Sequence, residues 1–123
     1  MFKGNSMDAR TRGKLGEARA AAWLRRRFWQ IVERNFSCRM GEIDIIARNR
    51  RHVIFVEVKL RRNADFAQAR EHVTPAKQQR IAAAASLWLA QHPTSLQPRF
   101  DVMEVYDDGA AFRINHIENA FEA

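Results

Sequence analysis

Glu57-Val58-Lys59 places a carboxylate and an ammonium two residues apart within Val53–Leu60, a run that is otherwise apolar (VIFVEVKL). Side chains alternate across a strand, so Glu57 and Lys59 share one face. Charges in such a strand are costly unless they are paired, bound to a metal or placed at an open end. A single E-x-K strand is more often an ordinary ion pair than a site. Asp44 turns the reading the other way. It lies in the preceding run Glu42–Ala47 (EIDIIA), joined to the next by Asn49-Arg50-Arg51. Folding the two runs about Arg50 sets Asp44 opposite about Val56, one position from Glu57. Two carboxylates suit Mg2+ or Mn2+, which prefer oxygen ligands and keep waters. Such an ion activates water and neutralises phosphate charge, and a neighbouring lysine stabilises the transition state. The chemistry this trio suggests is phosphodiester hydrolysis.

Elements must hold these residues in place. Asp8–Phe28 reads as an alanine-rich helix, with Leu15, Ala18, Ala22 and Leu24 near one face. A short strand follows over Gln30–Asn35, a turn over Ser37–Gly41, and then the two strands that carry Asp44 and Glu57. Val53–Leu60 is apolar on both faces and belongs at the centre of a sheet. The polar run Arg61–His72 reads as a mobile loop. Thr74-Pro75 is a helix start, with threonine as N-cap and proline in the first turn. That helix runs to about Gln91 with Ile81, Ala84, Ala85, Trp88 and Leu89 as its apolar stripe. Strands at Arg99–Tyr106 and Ala111–Ile117 flank a turn at Asp107-Asp108-Gly109. The order is α-β-β-β-α-β-β: an α/β (α+β) protein with a central mixed sheet flanked by helices.

Residues 1–123 fit one domain, with 1–7 as a flexible lead-in. Lys+Arg total 21 against 14 acidic residues, a net charge of +7, which draws the chain to polyanions. Nucleic acid is the first candidate and an anionic membrane surface the second. Arginines cluster at Arg25–Arg27, at Arg48 with Arg50 and Arg51, and at Arg61-Arg62. They suit bidentate phosphate contacts. Cys38 is the single cysteine, which rules out an intrachain disulfide and a cysteine zinc cluster and fits a reducing cytoplasm. No apolar run approaches the roughly 18 residues of a membrane helix, and the first dozen residues do not resemble a signal peptide.

Gly41-Glu42-Ile43-Asp44-Ile45-Ile46-Ala47, followed by Val53-Ile54-Phe55-Val56-Glu57-Val58-Lys59, resembles the signature of the bacterial YraN family. Gly16-Glu17 with Ala20, Asn35-Phe36, Lys77 and Arg99-Phe100-Asp101-Val102 extend the match over roughly Gly13 to Ile117. That family is placed in the restriction-endonuclease-like superfamily and is similar to archaeal Holliday junction resolvases. The resemblance implies a Mg2+- or Mn2+-dependent endonuclease acting on DNA, branched or damaged DNA included, with a role in repair or recombination. It implies Asp44, Glu57 and Lys59 as catalytic residues. Glu17 matches a helical glutamate that joins Asp44 and Glu57 at the metal. Lys77 or Gln78 falls where the second helix supplies a phosphate contact, and Arg61 and Arg62 follow Lys59 as further nucleic-acid contacts. Ile43 stands where the superfamily often has proline. The resemblance further implies a homodimer. Two alternatives use the same fold without cleavage: a nucleic-acid-binding module, and an adaptor for repair or recombination proteins. Glu42 reads equally as an outer carboxylate or a strand-edge charge, Asp101 as the partner of a structural ion pair, and Trp23 and Trp88 as core or interface residues.

Overall fold

The computed structural model describes residues 8–62, 73–107 and 111–122. Helix α1 (Ala9–Arg26) is followed by β1 (Gln30–Ser37), β2 (Glu42–Arg48), β3 (His52–Arg62), α2 (Pro75–Gln91), β4 (Gln97–Asp107) and β5 (Phe112–Phe121). The five strands form one sheet in the order β1-β2-β3-β4-β5. Neighbours are antiparallel except β3 and β4, which run parallel. A parallel pair needs a crossover, and α2 supplies it. The expected α-β-β-β-α-β-β order and mixed sheet are therefore present.

Each helix covers one face. Strand β3 divides its side chains by alternation: Val53 and Phe55 pack with Ile81, Ala84, Ala85 and Trp88 of α2, while Ile54 and Val56 pack with Ala20, Ala21 and Leu24 of α1. The buried stripe of α1 is Gly16, Ala20, Ala21 and Leu24, not the expected face through Ala18, which is exposed. An alanine-rich helix carries little hydrophobic contrast to orient it. Close approach decides instead: a Cβ on Gly16 would lie 3.4 Å from Leu60 Cδ1. Asp8, read from the sequence as the first helical residue, instead caps α1 by accepting from the Thr11 N–H, and Thr74 caps α2 by accepting from the Lys77 N–H, as the sequence predicts.

Further expectations change. Strand β3 extends through Arg61 and Arg62, which the sequence pattern assigns to the opening of the loop. Beyond them, residues 63–72 of that loop lie outside the described residues, as do the lead-in 1–7 and part of the turn at 107–109. The β2/β3 register is also one residue away from the one expected: Ile45 faces Val56 and Arg48 faces Val53. The hairpin centre lies between Arg50 and Arg51, because Asn49 Oδ1 accepts from the N–H groups of both Arg51 and His52 and tightens the turn there. The ladder ends at Ile45 and Val56, which leaves Asp44 and Glu57 as the next residues beyond it.

Asp101 is fully buried in β4 and paired as expected. Arg99 donates to both of its oxygens at 2.9 Å, His116 Nε2 lies 2.7 Å away, and the Asn119 N–H donates at 3.0 Å. Asn119 takes a φ of 52°, which asparagine tolerates, and the β4/β5 register shifts between Phe100 and Val102. This bulge turns a backbone donor toward the carboxylate. Trp88 is 4% exposed, and its indole N–H donates to Glu33 at 2.9 Å.

Candidate active site

Asp44 stands where β2 and β3 part. Its Oδ2 accepts the Val58 N–H at 2.8 Å, replacing a ladder partner with a side chain. Glu57, 6% exposed, projects toward the α2 side of the sheet. Its Oε2 lies 2.7 Å from Lys77 Nζ and 3.7 Å from Lys59 Nζ. Lys77 is therefore the closer partner of Glu57. It sits in the first turn of α2, and Thr74, which accepts its N–H, fixes where the side chain starts.

Asp44, Glu57 and Lys77 line a cleft of about 440 Å³. Its walls are the β1–β2 turn (Ser37, Cys38, Arg39, Met40, Gly41), Glu42 and Asp44 of β2, Glu57 of β3, and Lys77, Arg80 and Ile81 of α2. Cys38 and Gly41 bond through their backbones and close the turn around Arg39 and Met40. Gly41 is needed where it stands: a Cβ there would come within 3.0 Å of the Arg80 carbonyl oxygen, so α2 approaches the turn backbone closely. Arg39 and Arg80 add two cations to Lys77 along this wall. Spacing along the sequence did not bring out either arginine, because neither shares an element with Asp44 or Glu57.

The electrostatics are those of crowded carboxylates. Burial pushes the Asp44 carboxyl up to about 7, and the charges of Glu57 and Glu17 push in the same direction; the Val58 N–H and Lys77 oppose them. Asp44 therefore changes charge near neutral pH. Glu17 lies on α1, with Arg34 3.9 Å away. Its Oε1 is buried without a hydrogen bond. Among the described residues no three His, Cys, Asp or Glu side chains are gathered tightly enough to hold one ion. Glu17 reaches Asp44 through its charge, and it does not line the cleft. A cation near Asp44 and Glu57 would relieve their repulsion, and the unbonded Glu17 oxygen would gain a favourable charge nearby. The donor chemistry suits Mg2+ or Mn2+.

The remaining candidates are positioned as follows. Lys59 stays beside Glu57 but does not line the cleft. Arg61 Nε is 4.0 Å from Glu104 Oε2 with its side chain largely buried; the same Glu104 accepts from Tyr106 and Asn115. Gln78 Nε2 donates to the Val73 carbonyl and ties down the start of α2. Arg62 is a strand residue by its backbone. Glu42 is exposed at the cleft edge.

Residues 16–105 match the model of the uncharacterised protein family UPF0102. Several relatives carry the name UPF0102 protein. One from Geotalea daltonii is 46% identical over 117 residues, 94% of this chain and 92% of the relative. One from Geobacter metallireducens is 42% identical over 118 residues, 95% of this chain and 97% of the relative. One from Caldanaerobacter subterraneus is 40% identical over 119 residues, 94% and 98% respectively. Among the described residues no helix is long and apolar enough to cross a membrane.

Proposed function

The chain belongs to the uncharacterised UPF0102 family, the YraN family its strand motifs resemble, and from that premise we propose that its cleft is the active site of a divalent-metal-dependent endonuclease acting on DNA. The observation that carries this reading is that Asp44, at the end of the β2/β3 ladder, and Glu57 line one cleft and act on each other by charge, with Arg39, Lys77 and Arg80 on its other wall. Carboxylates and cations facing each other across a groove suit a phosphodiester. The carboxylates take the metal, and the cations take the phosphate.

Asp44 and Glu57 would hold the cation, and Glu17 would add negative charge behind them. The bound cation supplies an activated water and charge neutralisation at the phosphate. Lys77 and Lys59 bear on Glu57 in the absence of substrate. With a cation held by Asp44 and Glu57, the ammonium groups of Lys77 and Lys59 would be available to the scissile phosphate and its attacking water. Arg39 and Arg80 hold the flanking backbone. Branched or damaged DNA is the substrate class that the resemblance to junction resolvases suggests.

A second reading has one observation in its favour. At 2.7 Å, Lys77 already satisfies Glu57, which suits a module that binds nucleic acid without cutting it. Cleavage assays on linear, flapped and four-way-junction DNA, with Mg2+, Mn2+ or EDTA, separate the two. The endonuclease reading expects metal-dependent cutting by the wild type. It expects loss of cutting in Glu57→Gln and Asp44→Ala, with DNA binding retained. Binding without cutting on every substrate and with either metal would favour the silent module.

A further inference from the structure

The far end of the sheet carries a second surface that the cleft does not use. Helix α1 closes with paired backbone bonds: the Phe28 N–H donates to the Arg25 carbonyl and the Trp29 N–H to the Leu24 carbonyl. In this terminator the residue after the cap adopts a left-handed backbone and is usually glycine. Here it is Phe28, with φ of 70°, a conformation unfavourable for a bulky residue. Packing within the chain does not repay that cost, because Phe28 is 91% exposed. An exposed aromatic ring held on a strained backbone calls for a function outside the chain's own core.

The surroundings identify the class of partner. Phe28 lines a recess of about 800 Å³ with Arg27, Gln30, Arg48, Asn49, Arg50 and Arg51, and among the described residues no carboxylate lines it. Arg27 is engaged elsewhere, its guanidinium over the Trp23 ring at 3.5 Å. Arg48 is oriented by a bond from its Nε to Gln30 at 3.0 Å. Asn49 fixes the turn that presents Arg50 and Arg51. Arginines on a shaped turn beside one protruding ring match a polyanion with exposed aromatic faces. Unpaired nucleotides offer that, whereas a duplex keeps its bases stacked. A lipid surface would require a broader apolar face than one ring.

We propose that Phe28, Arg48, Arg50 and Arg51 form a binding site for single-stranded nucleic acid. Phe28 stacks on a base, and the three arginines hold the adjoining phosphates. The site is separate from the cleft: four residues along β2, at about 3.4 Å per residue, put Arg48 roughly 14 Å from Asp44, with the Arg50 turn beyond it.

The test is fluorescence anisotropy of a labelled oligothymidylate and of a blunt-ended duplex, in EDTA, with the full chain. Without divalent ions no cutting is read, so the outcome is independent of the endonuclease reading. Phe28→Ala is expected to weaken oligothymidylate binding roughly tenfold and leave duplex binding unchanged. Phe28→Trp is expected to retain affinity. Arg50→Glu with Arg51→Glu should lower affinity and flatten the salt dependence by about 1.4 in log–log slope, about 0.7 for each phosphate no longer neutralised. Phe28→Gly relieves the backbone, so it should melt higher than wild type while binding as weakly as Phe28→Ala. Wild-type affinity in Phe28→Ala would overturn the proposal. So would Phe28-dependent binding to anionic phospholipid vesicles with no binding to the oligonucleotide.

Discussion

Asp44→Asn should make the protein more stable at alkaline pH. The substitution keeps the shape, and an amide oxygen can still accept the Val58 N–H, so the charge is what changes. Burial and the charges of Glu57 and Glu17 push the Asp44 carboxyl up to about 7, from about 4 in an unfolded chain. At about 1.4 kcal/mol for each tenfold change, the folded state is penalised by up to about 4 kcal/mol once Asp44 is ionised. Partial solvent access at the cleft brings the expected value to roughly 2–3 kcal/mol. The sign follows from proton binding. Between about pH 4 and 7 the folded state holds a proton that the unfolded state has released, so stability falls as pH rises through this window. Above it the whole penalty is present. Thermal melts at pH 4.5 and pH 8.5 measure the difference. The Asn variant should melt close to wild type at the lower pH and several degrees higher at the upper one. Added Mg2+ or Mn2+ should raise the wild-type melting temperature at pH 8.5 by mass action, and have much less effect on the variant. An Asn variant less stable than wild type at pH 8.5, or a difference that ignores pH, would refute the argument that crowded carboxylates set this site's energetics.

Two other substitutions test the ion pairing around the sheet. Lys77→Ala should cost more stability than Lys59→Ala, since Lys77 is 2.7 Å from Glu57 and Lys59 is 3.7 Å; with Lys77 half-exposed, about 1 kcal/mol by denaturant titration is the expected size, and equal losses would count against Lys77 as the main partner. Asp101→Asn should cost about 3–5 kcal/mol, because it leaves the Arg99 guanidinium facing a neutral amide inside a buried network. The bonds from His116, Arg99 and the Asn119 N–H outweigh burial and hold the Asp101 carboxyl below its usual range. Its stabilisation is therefore present above about pH 4 and is lost as pH falls through the lowered value, so wild type should lose its advantage over Asp101→Asn in acid melts.

The element order and the central place of β3 were legible in the sequence because they rest on short-range rules. Alternation along VIFVEVKL fixes which side chains share a face, and Thr74-Pro75 fixes where α2 begins. Asp44 and Glu57 on neighbouring strands followed from one hairpin. Register was not legible to the residue, because a strand apolar on both faces leaves no hydrophobic pattern to choose between adjacent pairings. The Asn49 turn decided it. The partner that holds Glu57 most closely, the Gly41–Arg80 approach that narrows the cleft, and the pairing of Arg61 with Glu104 all lie across elements far apart in sequence. The crossover of α2 and the parallel pairing of β3 with β4 create those contacts. The position of Phe28 in a glycine's conformation was equally hidden, since a helix stop is local but the exposure of its ring depends on everything that fails to cover it. Sequence determined which residues could do chemistry and on which faces. Only the tertiary structure decided their partners, because charge pairing and burial are set by distances between segments that the chain itself does not join.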